Sequence, residues 1–267
     1  MFIPLIIFTL GISVGSFLNV VIDRLPRGKS AIKGRSYCDS CKKKLKWYDL
    51  IPLVSFIILQ RRCRYCKSPI SWQYPIVELT TGILFVFTLG VNSYHPPGDI
   101  ASHIADNGNN YLFLLFHLVL ISSLIAIFFT DLKYRIIPDQ VLVVLIISTL
   151  IYQLIYQRNL LLNNIFWGLI LFAFFAALVV ATKGKGMGIG DVKFAFLMGL
   201  LLGFPGVVVA FYLAFLTGAV FSLILIFIGA KTMKSTIPFG PFLVISTFIS
   251  FFYGDQLWQL FKGIVGL

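Results

Sequence analysis

The chain has 267 residues, of which 58% are hydrophobic and only 12% are charged. Soluble globular domains carry about 25% charged residues, so this composition excludes an ordinary soluble domain and indicates a polytopic membrane protein. The formal net charge of +12 raises the alternative of a nucleic-acid partner. The positions of the basic residues along the chain decide between this alternative and membrane topology.

Apolar segments follow one another along the whole chain. Hydropathy predicts transmembrane spans at about 2–22, 74–91, 111–129, 137–157, 163–181, 194–203, 206–229 and 237–254. A bilayer takes about 20 residues of helix, so the sixth segment is too short to cross alone. The first segment lacks a basic n-region and an obvious cleavage site, which indicates a retained helix. The predicted fold class is an all-α polytopic membrane protein with about eight transmembrane helices.

The basic residues lie almost entirely on one side of these spans. When the loops alternate, 20 of the 22 lysine and arginine residues fall on one side, and only Arg158 and Lys262 fall on the other. The positive-inside rule makes the first side cytoplasmic and places both termini outside. The loop 92–110 has no lysine or arginine and is predicted to be external. Membrane topology therefore explains the charge, and we expect a lipid bilayer as partner and no nucleic acid.

All four cysteines lie in the first cytoplasmic loop, as the C-x2-C pairs Cys38/Cys41 and Cys63/Cys66. Two such pairs can form a tetrahedral four-thiolate site, for which zinc is the usual ion. The alternative of two disulfides or free thiols is less favoured, because disulfides are rare in a reducing cytoplasm. We predict a small zinc-ribbon-like cytoplasmic loop domain with a structural Zn²⁺, because four thiolates leave no open coordination position.

This loop domain divides the chain into three predicted regions. They are a first transmembrane helix at 1–22, the four-cysteine domain at 23–73, and a transmembrane core at 74–267. Inside the loop domain, the apolar stretch 49–60 is too short to span a bilayer. It is predicted to form an interfacial or re-entrant helix.

Four acidic residues lie at the cytoplasmic ends of predicted spans, where charges are costly and often functional: Glu78, Asp131, Asp139 and Asp191. Asp139 follows Pro138 in the first turn of a helix, where a capping role at the helix end is favoured over direct chemistry or a substrate contact. Glu78 is compatible with either a hydrogen bond between helices or a substrate contact.

Asp131 and Asp191 are harder to explain as structural residues. Asp131 ends a helix, where the helix dipole disfavours an anion, and Asp191 follows Gly188 and Gly190, where another backbone can approach closely. Two adjacent carboxyl groups tend to share one proton, which provides a general base and a general acid. The structural alternative is a flexible glycine-rich loop with Asp191 as a helix cap.

Several motifs together resemble the bacterial type IV prepilin leader peptidase/N-methyltransferase family, which are membrane aspartyl proteases of the GxGD type. Besides the paired cysteines, they are GSFLNVVIDRLP (15–26), YPIVELTTG (74–82), TDLKYRIIPD (130–139), GMGIGDVK (186–193) and IPFGPFL (237–243). By position, the resemblance makes Asp131 and Asp191 the catalytic pair and Gly188 and Gly190 the active-site loop glycines. Asp39 stands where many relatives have proline, which should not harm a zinc site.

The resemblance also implies a substrate and a location. Members cleave basic leaders from prepilin or pseudopilin precursors at the cytoplasmic face of the bacterial inner membrane. Many also methylate the new N-terminus with S-adenosylmethionine. The protease step needs no metal. The sequence contains no G-x-G-x-x-G after a strand, so the methyl-donor site is not located by motif.

Two other functions fit parts of the sequence. A proton-coupled transporter could use Asp131 and Asp191 as a relay, but it would be expected to bury them near the midplane and to show two similar halves. A non-catalytic zinc-ribbon scaffold of a secretion machine explains the cysteines but leaves both aspartates without a role.

Overall fold

The structure is a computed structural model that describes residues 2–94, 110–184, 186–230, 232 and 237–265. In these residues the regular elements are helices, with two isolated β-bridges in the cysteine loop. The α-helices are α1 (Phe2–Arg24), α2 (Val54–Ile58), α3 (Gln73–Tyr94), α4 (Asn110–Tyr134), α5 (Asp139–Tyr156), α6 (Leu161–Ala181), α7 (Ile189–Phe227) and α8 (Gly240–Val265). The predicted external loop lies mostly outside the described residues.

Five of the described helices are long and apolar enough to cross a membrane: α1, α4, α5, α6 and α7. The apolar part of α3 that the structure describes, Gln73–Leu89, is shorter. Helices satisfy every interior backbone hydrogen bond within one segment, which is why a chain this apolar forms them. The predicted class, an all-α polytopic membrane protein, is confirmed.

Helix α7 reverses direction in its middle. Its helical backbone is interrupted at Gly203 (φ 57°, ψ −170°) and Phe204 (φ −86°, ψ 138°). Beyond this break, Ser250 of α8 donates to the Gly206 carbonyl oxygen at 2.6 Å. Further along α7, the Phe221 ring lies 5.5 Å from that of Phe242, near the start of α8.

The second half of α7 therefore runs antiparallel to α8, from the far end of α8 back to its start. The first half begins at that same start, because Asp191 interacts electrostatically with Asp131 and Asp131 lies against Gly240. The break separates the two predicted segments 194–203 and 206–229. The described helices α1, α3, α4, α5, α6, the two halves of α7, and α8 overlap the eight predicted segments. Only five described helices are long and apolar enough to cross a membrane, so the number of spans stays a prediction.

Contacts divide the chain into two compact units, residues 1–126 and 127–267. In the first unit α1 and α3 pack closely, because Gly11 and Gly15 carry no side chains. A Cβ added at Gly11 would lie 2.7 Å from the Gly82 Cα, and one at Gly15 would lie 2.7 Å from the Glu78 Cα. Such small-residue contacts let membrane helices approach each other. The predicted regions 1–22, 23–73 and 74–267 divide the chain differently and stay a prediction.

In the second unit, α6 and α7 also meet through glycines. A Cβ added at Gly199 would lie 2.5 Å from the Gly168 Cα. At the next residue of α7, the buried Gln153 of α5 donates through its Nε2 to the Leu200 carbonyl oxygen. These contacts fix the first half of α7 against α5 and α6, and so determine the position of Asp191 in the first turn of α7.

Candidate active site and metal site

The two C-x2-C pairs meet at one point in the loop between α1 and α3. The Sγ atoms of Cys38, Cys41, Cys63 and Cys66 all lie within 4.8 Å of one another, and those of Cys38 and Cys66 are 3.8 Å apart. Zinc–sulfur bonds of about 2.3 Å in a tetrahedron require sulfur atoms about 3.8 Å apart. The four thiols are not joined in disulfides, and their arrangement fits a closed four-thiolate metal site.

The two segments that carry the C-x2-C pairs, here called knuckles (38–43 and 63–68), repeat one backbone hydrogen-bond pattern. In the first knuckle the Cys38 amide donates to the Lys43 carbonyl oxygen, and the Lys42 amide donates to the Cys38 carbonyl oxygen. In the second, the Cys63 amide donates to the Ser68 carbonyl oxygen, and the Lys67 amide donates to the Cys63 carbonyl oxygen. Lys42 and Lys67 both adopt left-handed backbone, with φ of 58° and 60°. Sequence analysis did not find this repeat, because beyond the cysteines and the lysine that follows each pair the side chains of the two knuckles differ.

Asp49, which sequence analysis missed, joins the segment between the two knuckles to the second knuckle. It lies in a 3-10 helix, Trp47–Leu50, between them, and its side chain is only 2% exposed. One carboxylate oxygen accepts from the Arg64 Nε at 2.7 Å, and the other accepts from the Lys46 amide at 3.2 Å and the Tyr65 hydroxyl at 3.3 Å. Burial acts to raise the pKa of Asp49, but these donors outweigh it and hold the pKa below its usual value.

We expect Asp49→Asn to weaken the loop domain by about 1–3 kcal/mol, because a buried charged acceptor is lost. With its folded pKa lowered, Asp49 contributes this stability above the unfolded pKa of about 3.9 and loses it as pH falls through the folded pKa. The contribution is therefore fully present at pH 7. A chelating dye should remove the metal faster from Asp49→Asn than from the parent protein.

Asp39→Asn is the matched control, because Asp39 is 55% exposed and lies 3.8 Å from Arg27. An exposed ion pair of this kind contributes little to the stability of the folded protein. Equal metal-release rates for the two variants would contradict the role given to Asp49.

Glu78 is buried in α3 and contacts two other parts of the first unit. Its Oε2 accepts the Leu53 amide at 2.8 Å, and its carboxylate interacts with the Ser16 hydroxyl of α1. Leu53 has a left-handed backbone, with φ of 58°. Glu78 therefore joins α1, α3 and the turn before α2. This geometry includes the predicted contact between helices, and the predicted substrate contact stays a prediction.

Asp131 lies in the last turn of α4 and is only 6% exposed. In the part of the chain that the structure describes, its Oδ2 is buried without a hydrogen-bond partner of good geometry. The Gly240 amide is near enough to act on the carboxylate, and a Cβ added at Gly240 would lie 2.5 Å from that oxygen. A buried acceptor without a partner is rare in folded proteins and calls for a functional explanation.

Asp191 lies in the first turn of α7 and is 8% exposed. Its Oδ2 accepts the amide of the N-cap residue Gly188 at 3.1 Å, so the carboxylate does cap its own helix. It also interacts electrostatically with Asp131. The structure thus brings together two buried carboxyl groups from the cytoplasmic ends of two predicted spans. Helix capping accounts for Asp191 but not for Asp131.

The two loop glycines have different surroundings. Gly188 has an ordinary extended backbone (φ −82°, ψ 156°), and a Cβ added there would come no closer than 3.6 Å, to Asp191 Oδ2. At Gly190 an added Cβ would lie 3.1 Å from the Ile137 Cβ. Packing against the described residues therefore does not require glycine at 188. Its missing side chain leaves open space beside the Asp191 carboxylate.

Asp139 is the first residue of α5, directly after the N-cap residue Pro138, and the predicted capping role stays a prediction. Its Oδ1 also pairs with the Lys193 Nζ of α7 at 2.7 Å, and its side chain is 66% exposed. The pair lies at the edge of a cavity of about 470 Å³ whose other lining residues are apolar: Leu142, Val143, Ile146, Leu169, Phe172 and Phe196.

Comparisons with known proteins cover both units. A model of the bacterial peptidase A24 N-terminal domain matches residues 9–91, and a model of the type IV leader peptidase family matches residues 118–223. No solved structure shows significant similarity to the chain.

Curated relatives named prepilin leader peptidase/N-methyltransferase match over nearly their full length. The protein from Legionella pneumophila is 31% identical over 98% of this chain and 95% of its own. The one from Bacillus subtilis is 29% identical over 94% and 95%, and the one from Pseudomonas aeruginosa is 28% identical over 96% and 92%.

Proposed function

Because this chain belongs to the type IV leader peptidase family, we propose that it is a membrane aspartyl endopeptidase. It removes the basic leader from type IV prepilin or pseudopilin precursors at the cytoplasmic membrane face and N-methylates the new terminus. The observation that supports the protease step most strongly is the buried Asp131–Asp191 pair, in which one Asp131 oxygen has no well-aligned hydrogen-bond partner among the described residues.

The chemistry follows from two carboxyl groups that share a proton. The ionised group takes a proton from water, which attacks the scissile carbonyl carbon, while the protonated group polarises the carbonyl oxygen. The same groups then return a proton to the leaving amine. Asp131 and Asp191 carry out this step without a metal.

The open space at Gly188 allows the substrate backbone to approach the Asp191 carboxylate. An extended peptide can lie against the start of α7 and reach Asp191 without meeting a side chain at that position. A precursor whose apolar helix lies in the bilayer and whose basic leader lies in the cytoplasm presents its cleavage site at this depth. The placement of the aspartates at helix ends suits such a substrate.

We expect Gly188→Ala to lower precursor cleavage by about 100-fold, because a displacement of roughly 1 Å at a reacting group costs that much. Folding should be unchanged, since the added Cβ meets no close atom in the part of the chain that the structure describes. Cleavage rate and thermal stability of the detergent-solubilised protein check both parts. Gly263→Ala, in open space on α8, is the control, and full cleavage by Gly188→Ala would contradict the proposed substrate path.

The two proposed cofactors differ in how well the structure accommodates them. Zn²⁺ fits the four cysteines, which would hold it as a structural ion. S-adenosylmethionine supplies the methyl group in the proposed second reaction. The cavity beside Asp139 does not fit it, because apart from one ion pair its lining is apolar and offers few partners for an adenosyl group. We therefore assign the methyl donor to no described cavity.

We also propose that the protein is a multi-pass component of the bacterial inner membrane with both termini outside the cytoplasm. The support is the 20-to-2 division of basic residues between the two sides. Reporter fusions after residues 100 and 187 should read outside and inside, respectively. The opposite pattern would overturn this orientation and the cytoplasmic position of the aspartates.

Mass spectrometry of a pilin-like precursor made with and without this protein tests the function directly. We expect the precursor to lose its leader and the new N-terminus to gain the mass of one methyl group. A transporter or a scaffold would leave the precursor at its full mass. Cleavage without the added mass of a methyl group would support the proposed peptidase activity and contradict the proposed methyltransferase activity.

A further inference from the structure

The loop segment 47–58 turns its apolar side chains outward. Trp47, Ile57 and Ile58 are 76%, 73% and 68% exposed. In α2, positions 54, 57 and 58 share one helical face, and all three are exposed. The inward side chain is Phe56, whose ring lies 5.3 Å from that of Trp72. A helix on a soluble domain shows the reverse pattern, and an exposed apolar patch of this kind marks an interaction site.

The same segment is fixed at the depth of the membrane surface. The amide of Leu53, just before α2, donates to Glu78, which is the sixth residue of α3 and so lies about 8 Å along that helix. At the other end of α2, the Arg61 guanidinium lies 4.6 Å from the centre of the Trp72 ring. The segment is therefore held beside the first turns of an apolar helix, where a membrane span passes the headgroups.

The charge around the segment is strongly positive. The loop between α1 and α3 carries 12 lysine and arginine residues and two aspartates. Of these aspartates, Asp49 is buried against Arg64 and Asp39 lies near Arg27. Lys46, Arg61 and Arg62 flank the apolar segment and are exposed. A surface that combines exposed apolar side chains with excess positive charge is complementary to an anionic leaflet.

We propose that the segment 47–58 docks on the anionic phospholipids of the cytoplasmic leaflet. Trp47 then lies at the headgroup level, as membrane-interface tryptophans do, and α2 places its apolar face among the upper acyl carbons. The leaflet is favoured over a protein partner because α1 and α3 tether the segment to the bilayer at both ends. Docking holds the four-cysteine site at the membrane surface, and this proposal does not depend on the peptidase activity.

Fluorescence of the zinc-loaded full chain in vesicles tests the docking. The signal from Trp47 is the difference between the parent protein and Trp47→Phe. It is measured in phosphatidylglycerol/phosphatidylethanolamine vesicles and in phosphatidylcholine vesicles, each with lipids brominated near the headgroup or with acrylamide in the water. We expect brominated lipids to remove most of the Trp47 emission in the anionic vesicles and less in the phosphatidylcholine vesicles, with acrylamide having little effect.

Three results would overturn the proposal. Quenching by acrylamide but not by brominated lipid would show a surface that faces water. Protection from both quenchers would show that a second copy or another protein covers it. Equal quenching in the two kinds of vesicle would exclude selection of anionic lipid.

Introducing charge on the exposed apolar face of α2 provides an independent test of the docking. The double variant Ile57→Glu, Ile58→Glu should lose most of the lipid quenching of Trp47 and keep its metal, because neither side chain contributes to the cysteine site. Ile32→Glu is the matched control, since Ile32 is 87% exposed in the same loop but lies outside the segment. Unchanged quenching in the double variant would contradict the docking. If the double variant does not bind metal, the comparison of the parent protein with Trp47→Phe decides alone.

Discussion

Replacing either Asp131 or Asp191 with asparagine is expected to abolish precursor cleavage in protein that still inserts and binds metal. Both carboxyl groups are buried and interact with each other, and an amide can neither take up nor supply the proton that the reaction transfers. Because the two groups act as one unit, losses should be non-additive. The double variant should therefore be no less active than either single variant.

Asp139→Asn is the control for this experiment. Asp139 is exposed and paired with Lys193 at the edge of a cavity, and exposed ion pairs contribute about 1 kcal/mol or less. This variant should retain cleavage. Methylation of a precleaved substrate should survive in the Asp131 and Asp191 variants, because that step needs neither carboxyl group. Normal cleavage by either catalytic variant would rule out an aspartyl-protease mechanism.

The parts of the molecule that sequence analysis predicted well depend on local patterns. Hydropathy found both halves of α7, because glycine and proline interrupt an otherwise continuous apolar stretch at Gly203 and Pro205. The spacing of the cysteines was enough to predict that four sulfur atoms meet. In both cases the pattern that decides the structure lies within a few neighbouring residues.

The parts that it missed depend on contacts between distant residues. The role of Asp49 arises only when Arg64 folds back against it, and no spacing rule indicates that pair. Gly240 lies in a recognised motif, but its close approach to Asp131 requires α4 and α8 to be in place. The stretch 49–60 was predicted as one helix, whereas α2 covers only Val54–Ile58. Leu53 and Gln60, with positive φ, turn the backbone at its two ends.

Replacing Cys41 or Cys63 with serine is expected to release the metal and unfold the cysteine loop. One ligand comes from each knuckle, and the loop contains little other regular structure. Structural zinc contributes about 10–16 kcal/mol to the folding of small domains, far more than Asp49 can. Metal analysis of the purified protein should give about one zinc per parent chain and much less in either variant.

Trypsin gives a second measurement, because the loop carries 12 lysine and arginine residues and a folded loop resists cleavage at them. Both cysteine variants should be cut in this loop far faster than the parent protein. Ser40→Ala is the control, since Ser40 lies between two ligands but contributes none. A metal-free parent protein with two disulfides, or variants that keep full metal, would overturn the zinc assignment.

The same cysteine variants also separate the two proposed reactions. Asp131, Asp191, Gly188 and Gly240 all belong to the second compact unit, and the cysteines belong to the first. If the loop domain supports methylation rather than cleavage, Cys63→Ser should still remove the leader but leave an unmethylated N-terminus. Loss of both reactions in a variant whose second unit remains folded would instead make the loop domain part of the peptidase.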